Sequence, residues 1–168
     1  MERFRINALS RREFLQESAL AAAALGFGAG WAGADEKPQT AAETKAEPLR
    51  IGIIGPGSQG QFDLRKAIRV PGVQCVAVCD IFEPNLNAAK RIAQVHDDSA
   101  YSDYRRLLDR KDVQAVLVTV PLPLHAHIAI DALEAGKHVF CEKLMAYTVE
   151  DAKKMARTAK RTGKVLQI

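Results

Sequence analysis

Past residue 48 the chain alternates between two patterns: short runs that are apolar throughout, and stretches in which apolar residues recur at helical spacing. The runs are 49–54, 73–79, 115–120, 138–141 and 165–168. None alternates apolar with polar residues, so none has one wet face. Such runs predict strands of a parallel sheet covered by helices on both faces. The stretches 58–69, 84–95, 101–110, 124–135 and 148–161 predict the helices. Pro84 suits a first helical turn, and Gly136 and Gly163 stand where helices stop. Thr148 and Asp151 have capping-box spacing, with Asp in place of the stronger Glu. No internal repeat is visible.

Residues 1–48 lack this rhythm. Ser10-Arg11-Arg12-Glu13-Phe14-Leu15-Gln16 resembles the twin-arginine export motif, with Gln16 in place of its usual lysine. A weakly apolar run over 18–33 follows, too short and glycine-rich for a stable membrane span, which needs about 20 strongly apolar residues. Ala32-Gly33-Ala34 then supplies a small-residue cleavage pattern, with Asp35 as the mature start. The expectation is a signal peptide over 1–34, the twin-arginine export machinery as a partner, and a periplasmic or otherwise exported product. That route carries folded proteins, so a cofactor can be bound before export. An amphipathic amino-terminal helix of a cytoplasmic protein is the alternative reading. Residues 35–48 are polar, with Pro38 and Pro48, and read as a flexible linker.

Composition narrows the class. In 168 residues, 48% are hydrophobic and only 6% aromatic, so one domain has ample Ala, Val, Leu and Ile for a core. The formal charge of +4 is spread along helices among acids, which argues against a nucleic-acid footprint. Cys75 and Cys79 fall on one expected strand, about 13 Å apart and beyond disulfide reach. With Cys141 they read as buried thiols, and no zinc spacing is present. His96 beside Asp97 and Asp98 reads as a wet loop. His125 and His127 would point about 200° apart on a helix and do not share a metal ion.

The candidate chemistry starts at Gly55-Pro56-Gly57-Ser58-Gln59-Gly60, a G-x-G-x-x-G between an expected strand and an expected helix. Asp80 lies twenty residues beyond Gly60, at the end of the next strand. Together they form a dinucleotide fingerprint in its proper context. Gly55 permits the turn, Gly57 lets the backbone approach a pyrophosphate, and Gly60 lets helix and strand pack closely. The helix N-terminus favours the phosphate charge. Asp80 accepts from the adenosine ribose hydroxyls and repels a 2′-phosphate. Ile81 and Phe82 bring no cation, which favours NAD over NADP.

These features resemble the amino-terminal half of the Gfo/Idh/MocA family, which takes its name from glucose–fructose oxidoreductase and inositol dehydrogenase. Four landmarks carry the resemblance over residues 49–168: the glycine fingerprint, Val76-Ala77-Val78-Cys79-Asp80, a T-P-x-x-x-H-like segment with Pro121 and His125, and Ala135-Gly136-Lys137-His138-Val139-Phe140-Cys141-Glu142-Lys143. The resemblance implies a doubly wound Rossmann sheet that binds NAD(P), and a sugar- or polyol-like substrate that gives up hydride. It implies that Lys143 is catalytic, bonding the substrate hydroxyl and helping move its proton. Glu142 becomes a cofactor neighbour or local support, and His125 holds its loop near the cofactor.

Two departures stand out. Leu144 replaces the proline that follows the family's lysine, and Val120-Pro121-Leu122 replaces Thr-Pro-Asn. Relatives continue into a substrate domain that often carries a homo-oligomer interface, so this chain reads as truncated before that domain. Two other readings stay open: an NAD-dependent glycosidase of the same superfamily, and a non-catalytic nucleotide-binding module.

Overall fold

The computed structural model describes residues 47–168. The expected signal peptide over 1–34, and the expected linker over 35–48 up to residue 46, lie outside the described residues. The first half runs β1 (Leu49–Ile54), α1 (Ser58–Ala67), β2 (Val73–Cys79), α2 (Glu83–Ala93) and β3 (Ala100–Tyr101). The second runs α3 (Tyr104–Leu108), β4 (Ala115–Val118), α4 (His125–Glu134), β5 (His138–Cys141), α5 (Val149–Thr162) and β6 (Leu166–Gln167). Every strand pairing is parallel, and the order is β3-β2-β1-β4-β5-β6. This is the expected doubly wound α/β sheet, with its switch point between β1 and β4.

The punctuation works as its chemistry demands. Thr148 caps α5 by accepting from the Asp151 amide at 3.1 Å, and its hydroxyl donates to the Asp151 carboxylate at 2.7 Å. Gly136 and Gly163 both end helices at positive φ. Two expectations change. Tyr101 lies in β3 rather than in a helix, because the helix waits for Asp103, which caps α3 through the Arg105 amide. A two-residue strand is too short to show a period. The run at 115–120 stops being strand at Val118, since Thr119 and Val120 turn against the glycine loop.

Two cores flank the sheet. Ile51, Ile53, Cys75, Val78 and Leu117 pack with Leu64 of α1 and Ala89 of α2. Ile54, Ala77, Cys79 and Val116 pack on the other face with Leu107 of α3, Ala129 of α4 and Met155 of α5. Ile53, Leu64, Leu107 and Leu133 are fully buried, and each such side chain contributes about 1.5–3 kcal/mol. The β1–β2 register slips between Ile51 and Gly52, leaving Val76 as an extra residue. That bulge puts Cys75 and Cys79 on opposite faces. All three cysteines are free and buried. Burial pushes the Cys75 thiol up to about 11, and those of Cys79 and Cys141 to about 12.

Coverage is less complete than the apolar runs suggested. Right-handed crossovers place successive helix pairs on opposite faces on either side of β1. Ala115, Leu117, His138 and Phe140 therefore line an open apolar hollow that no helix among the described residues covers, and Phe140 is 39% exposed.

Lys137 is only 7% exposed. Its ammonium donates to the carbonyls of Arg110 at 2.6 Å and Val113 at 2.9 Å, tying the start of β5 to the loop before β4. Burial pulls its pKa below 10.5. Lys137→Ala orphans both carbonyls, so urea unfolding should show a loss of about 2–3 kcal/mol. A loss below about 0.5 kcal/mol would make the tie dispensable.

Candidate functional site

The carboxyl ends of β1, β2 and β4 meet at a cleft of about 640 Å³. Gly55, directly after β1, has φ +80°, and a Cβ there would sit 2.5 Å from Val120 Cγ1. Its amide donates to the Cys79 carbonyl at 2.8 Å, pinning the loop to β2. Gly60 lies in the first turn of α1, where a Cβ would collide with Thr119 Oγ1. The same Thr119 hydroxyl donates to the Gly55 carbonyl at 2.9 Å. Packing within the chain thus demands glycine at both positions.

Gly57 differs. It caps α1 without a side-chain bond, and a Cβ added there would meet nothing nearer than Asn85 Nδ2 at 3.9 Å. The space beside it is open cleft. No acidic residue occupies the first turn of α1, so the amides of Ser58, Gln59 and Gly60 face the cleft uncompensated, as an anion site requires. This is the fit a pyrophosphate needs.

Asp80 forms the next wall. One carboxylate oxygen accepts from the Phe82 amide at 2.8 Å and the other from Asn85 Nδ2 at 3.3 Å. These bonds hold the carboxylate facing the cleft while leaving lone pairs for ribose hydroxyls. Ile81 is 91% exposed, and among the described residues no lysine or arginine lines the cleft.

The remaining sequence candidates separate in space. Pro121 lines the cleft. His125 does not: it is buried behind the cleft, with Nε2 2.8 Å from the Val120 carbonyl and Nδ1 2.8 Å from the Leu144 carbonyl. The ring thereby joins the loop after β4 to the loop after β5. Glu142 is half-buried, and its amide donates to the Val118 carbonyl at 3.0 Å. One of its carboxylate oxygens lies 3.5 Å from Gln59 Nε2, and the other accepts from the Lys143 amide at 3.0 Å. Lys143 itself is exposed. The structure joins Gly55, Gly57, Ser58, Gln59, Gly60, Asp80 and Pro121 in one cleft, leaves Pro56 fully buried outside its lining, and sets the Glu142–Lys143 turn against Gln59.

Sequence reasoning missed several residues of the cleft. Thr119 directly precedes the Val120-Pro121-Leu122 segment and lies outside the four landmarks. Asn85 could have been found, since it sits on the first turn of α2, five residues past Asp80. Tyr104 and His127 carry no sequence signal because α3 and α4 meet only in the fold. There the Tyr104 hydroxyl donates to Asp131 at 2.6 Å and lies 3.1 Å from His127 Nε2. Burial, reinforced by Asp131, pushes the Tyr104 phenol up to about 12. Among the described residues no group of three His, Cys, Asp or Glu side chains is arranged to hold a metal.

Comparison with known proteins agrees with this geometry. Residues 49–168 match a family described as an oxidoreductase family with an NAD-binding Rossmann fold. An inositol 2-dehydrogenase from Salmonella typhimurium is 40% identical over 119 residues, which cover 69% of this chain and 34% of that protein. An alpha-N-acetylgalactosaminidase from Shewanella oneidensis is 35% identical over 127 residues, covering 71% and 28%. The crystal structure of a myo-inositol 2-dehydrogenase from Lactobacillus plantarum aligns with a TM-score of 0.66 at 31% identity, over 72% of this chain and 36% of that one. A 3-ketoreductase from Actinomadura kijaniata, in complex with TDP-benzene and NADP, aligns at 0.65 and 28% identity, over 71% and 37%. The chain spans about a third of the length of the relatives it matches.

Proposed function

The chain belongs to the Gfo/Idh/MocA oxidoreductase family and carries its NAD-binding Rossmann domain, and from that premise we propose that it binds NAD in preference to NADP and serves hydride transfer from a sugar- or polyol-like hydroxyl. The observation that supports the cofactor preference is Asp80, held by Phe82 and Asn85 in a cleft that no lysine or arginine among the described residues lines. A 2′-phosphate placed beside that carboxylate meets repulsion and no compensating cation. Calorimetry should show NAD binding more tightly than NADP, with Asp80→Ala narrowing the gap. Equal affinities in the unaltered protein would refute the preference.

The amides of Ser58, Gln59 and Gly60 would hold the pyrophosphate, and Asp80 would hold the adenosine ribose. Bound there, the cofactor supplies the hydride acceptor. Lys143 is the group proposed to act on the substrate: its side chain donates to the hydroxyl oxygen, stabilises the negative charge that develops there and relays the departing proton. The bonds from Glu142 to Gln59 and to the Lys143 amide set the direction of that turn.

A second reading is supported by the Shewanella alpha-N-acetylgalactosaminidase: an NAD-dependent glycosidase in which oxidation is transient. The two readings part on one measurement, because a dehydrogenase accumulates reduced cofactor with each turnover and such a glycosidase does not. Export by the twin-arginine route completes the proposal and is supported by Arg11 and Arg12 ahead of a weakly apolar run. Replacing both arginines with lysine should leave precursor in the cytoplasm. Mature protein still appearing outside the inner membrane would contradict it.

A further inference from the structure

Three side chains beside the far end of the cleft fix one another's protons. Along the sheet the cleft passes from the glycine loop after β1 to Asp80 after β2, and then to Ser102 and Tyr104 after β3. With a pyrophosphate on the loop and a ribose on Asp80, the base of the nucleotide would reach this third station. Ile81, Leu124 and Ile128 give it apolar walls, and Tyr104 and His127 bring polar atoms to it.

The Tyr104 hydroxyl has a single proton, and the Asp131 carboxylate, which can only accept, takes it at 2.6 Å. Burial, reinforced by Asp131, holds the phenol protonated by raising its pKa to about 12. His127 Nε2 lies 3.1 Å from the same hydroxyl oxygen and must therefore donate to it. Asp131 is also 3.7 Å from that nitrogen, and its charge favours a proton there. A neutral imidazole carries hydrogen on one nitrogen only, so Nδ1 is left as a bare acceptor. Among the described residues no hydrogen bond engages Nδ1, and His127 is exposed in the cleft it lines.

We propose that His127 reads the base of the dinucleotide: its Nδ1 accepts from an exocyclic amine and so selects adenine over a purine with a carbonyl at that position. The inference rests on the dinucleotide reading given above and deepens it. Adenine presents an amine donor on its edge, where guanine and hypoxanthine present an oxygen. An oxygen there would face the Nδ1 lone pair. The tautomer does not reverse to suit it, because a bare Nε2 would then face a Tyr104 oxygen with no second proton to give. Tyr104 and Asp131 act through His127, as positioning residues.

Two measurements on the 168-residue chain test the proposal, in mildly alkaline buffer where an imidazole is neutral. Nitrogen-15 shifts of the His127 ring should place hydrogen on Nε2 in the free protein, with that bias weakened in Tyr104→Phe. Calorimetry should show NAD binding about tenfold more tightly than nicotinamide hypoxanthine dinucleotide, the worth of one hydrogen bond. His127→Ala should bring the two ligands level, and Tyr104→Phe should narrow the gap. His127 is exposed, so its truncation leaves the core untouched. Hydrogen on Nδ1 of the free ring, equal binding of both ligands by the unaltered chain, or a gap that survives His127→Ala overturns the proposal. Equal binding leaves the dinucleotide reading standing, whereas failure to bind either ligand refutes that reading and this one with it.

Discussion

On the function proposed above, Lys143→Ala in the protein as the cell makes it should lower turnover by about 10²–10⁴-fold, the range that a positioned proton-transfer group contributes. Cofactor affinity stays within a few-fold, because Lys143 lies outside the residues that line the cleft. Lys143→Arg fails nearly as badly. A guanidinium keeps its proton throughout, and its planar fork does not reproduce the point contact of an ammonium. The position rests on Glu142, whose amide is tied to Val118 and whose carboxylate holds the Lys143 amide. Steady-state kinetics beside a binding isotherm separates the effects. A loss of turnover below tenfold with unchanged affinity would remove Lys143 from the chemistry.

Gly57→Val abolishes most dinucleotide binding and leaves the fold standing. The added side chain enters open cleft, not packed protein, since even a Cβ there reaches nothing closer than 3.9 Å. Its stability cost is the weaker cap, on the order of 1 kcal/mol. The binding cost is larger, because the branched side chain occupies the approach of the pyrophosphate to the amides of α1. An affinity loss of 100-fold or more, about 2.7 kcal/mol, should appear in calorimetry while far-ultraviolet dichroism is unchanged. Gly55 and Gly60 would not serve for this test, since side chains there collide with Val120 and Thr119. Full binding by Gly57→Val would mean that the ligand does not cross this loop.

How much of this was legible in the chain depends on the range of the interaction. The glycine loop and Asp80 were readable because their requirements lie within one strand–turn–helix unit and a fixed spacing to the next strand. The Thr148 cap and the helix stops at Gly136 and Gly163 were readable for the same reason. The bulge at Val76 was not, since it exists only in the register between β1 and β2. Thr119, Tyr104 and His127 reach the cleft across the sheet or between helices, where spacing along the chain carries no information. Lys137 was read as one letter of a resemblance, and the fold shows it as a buried tie between two carbonyls. His125 was expected near the cofactor loop, and its place between the Val120 and Leu144 carbonyls follows from where β4 and β5 end side by side. The uncovered face around Phe140 could not be read either, because an apolar run does not reveal which of its faces a helix reaches.

Amide chemical-shift mapping of the 168-residue chain during titration with NAD tests the central claim most directly. The dinucleotide should perturb Ser58, Gln59 and Gly60 most, together with Asp80 and its neighbours Ile81 and Asn85, in one saturable transition. Perturbations centred instead on the open hollow around Leu49 and Phe140, or saturation that leaves the Ser58–Gly60 amides unmoved, would contradict a dinucleotide site at the β1–α1 glycine loop.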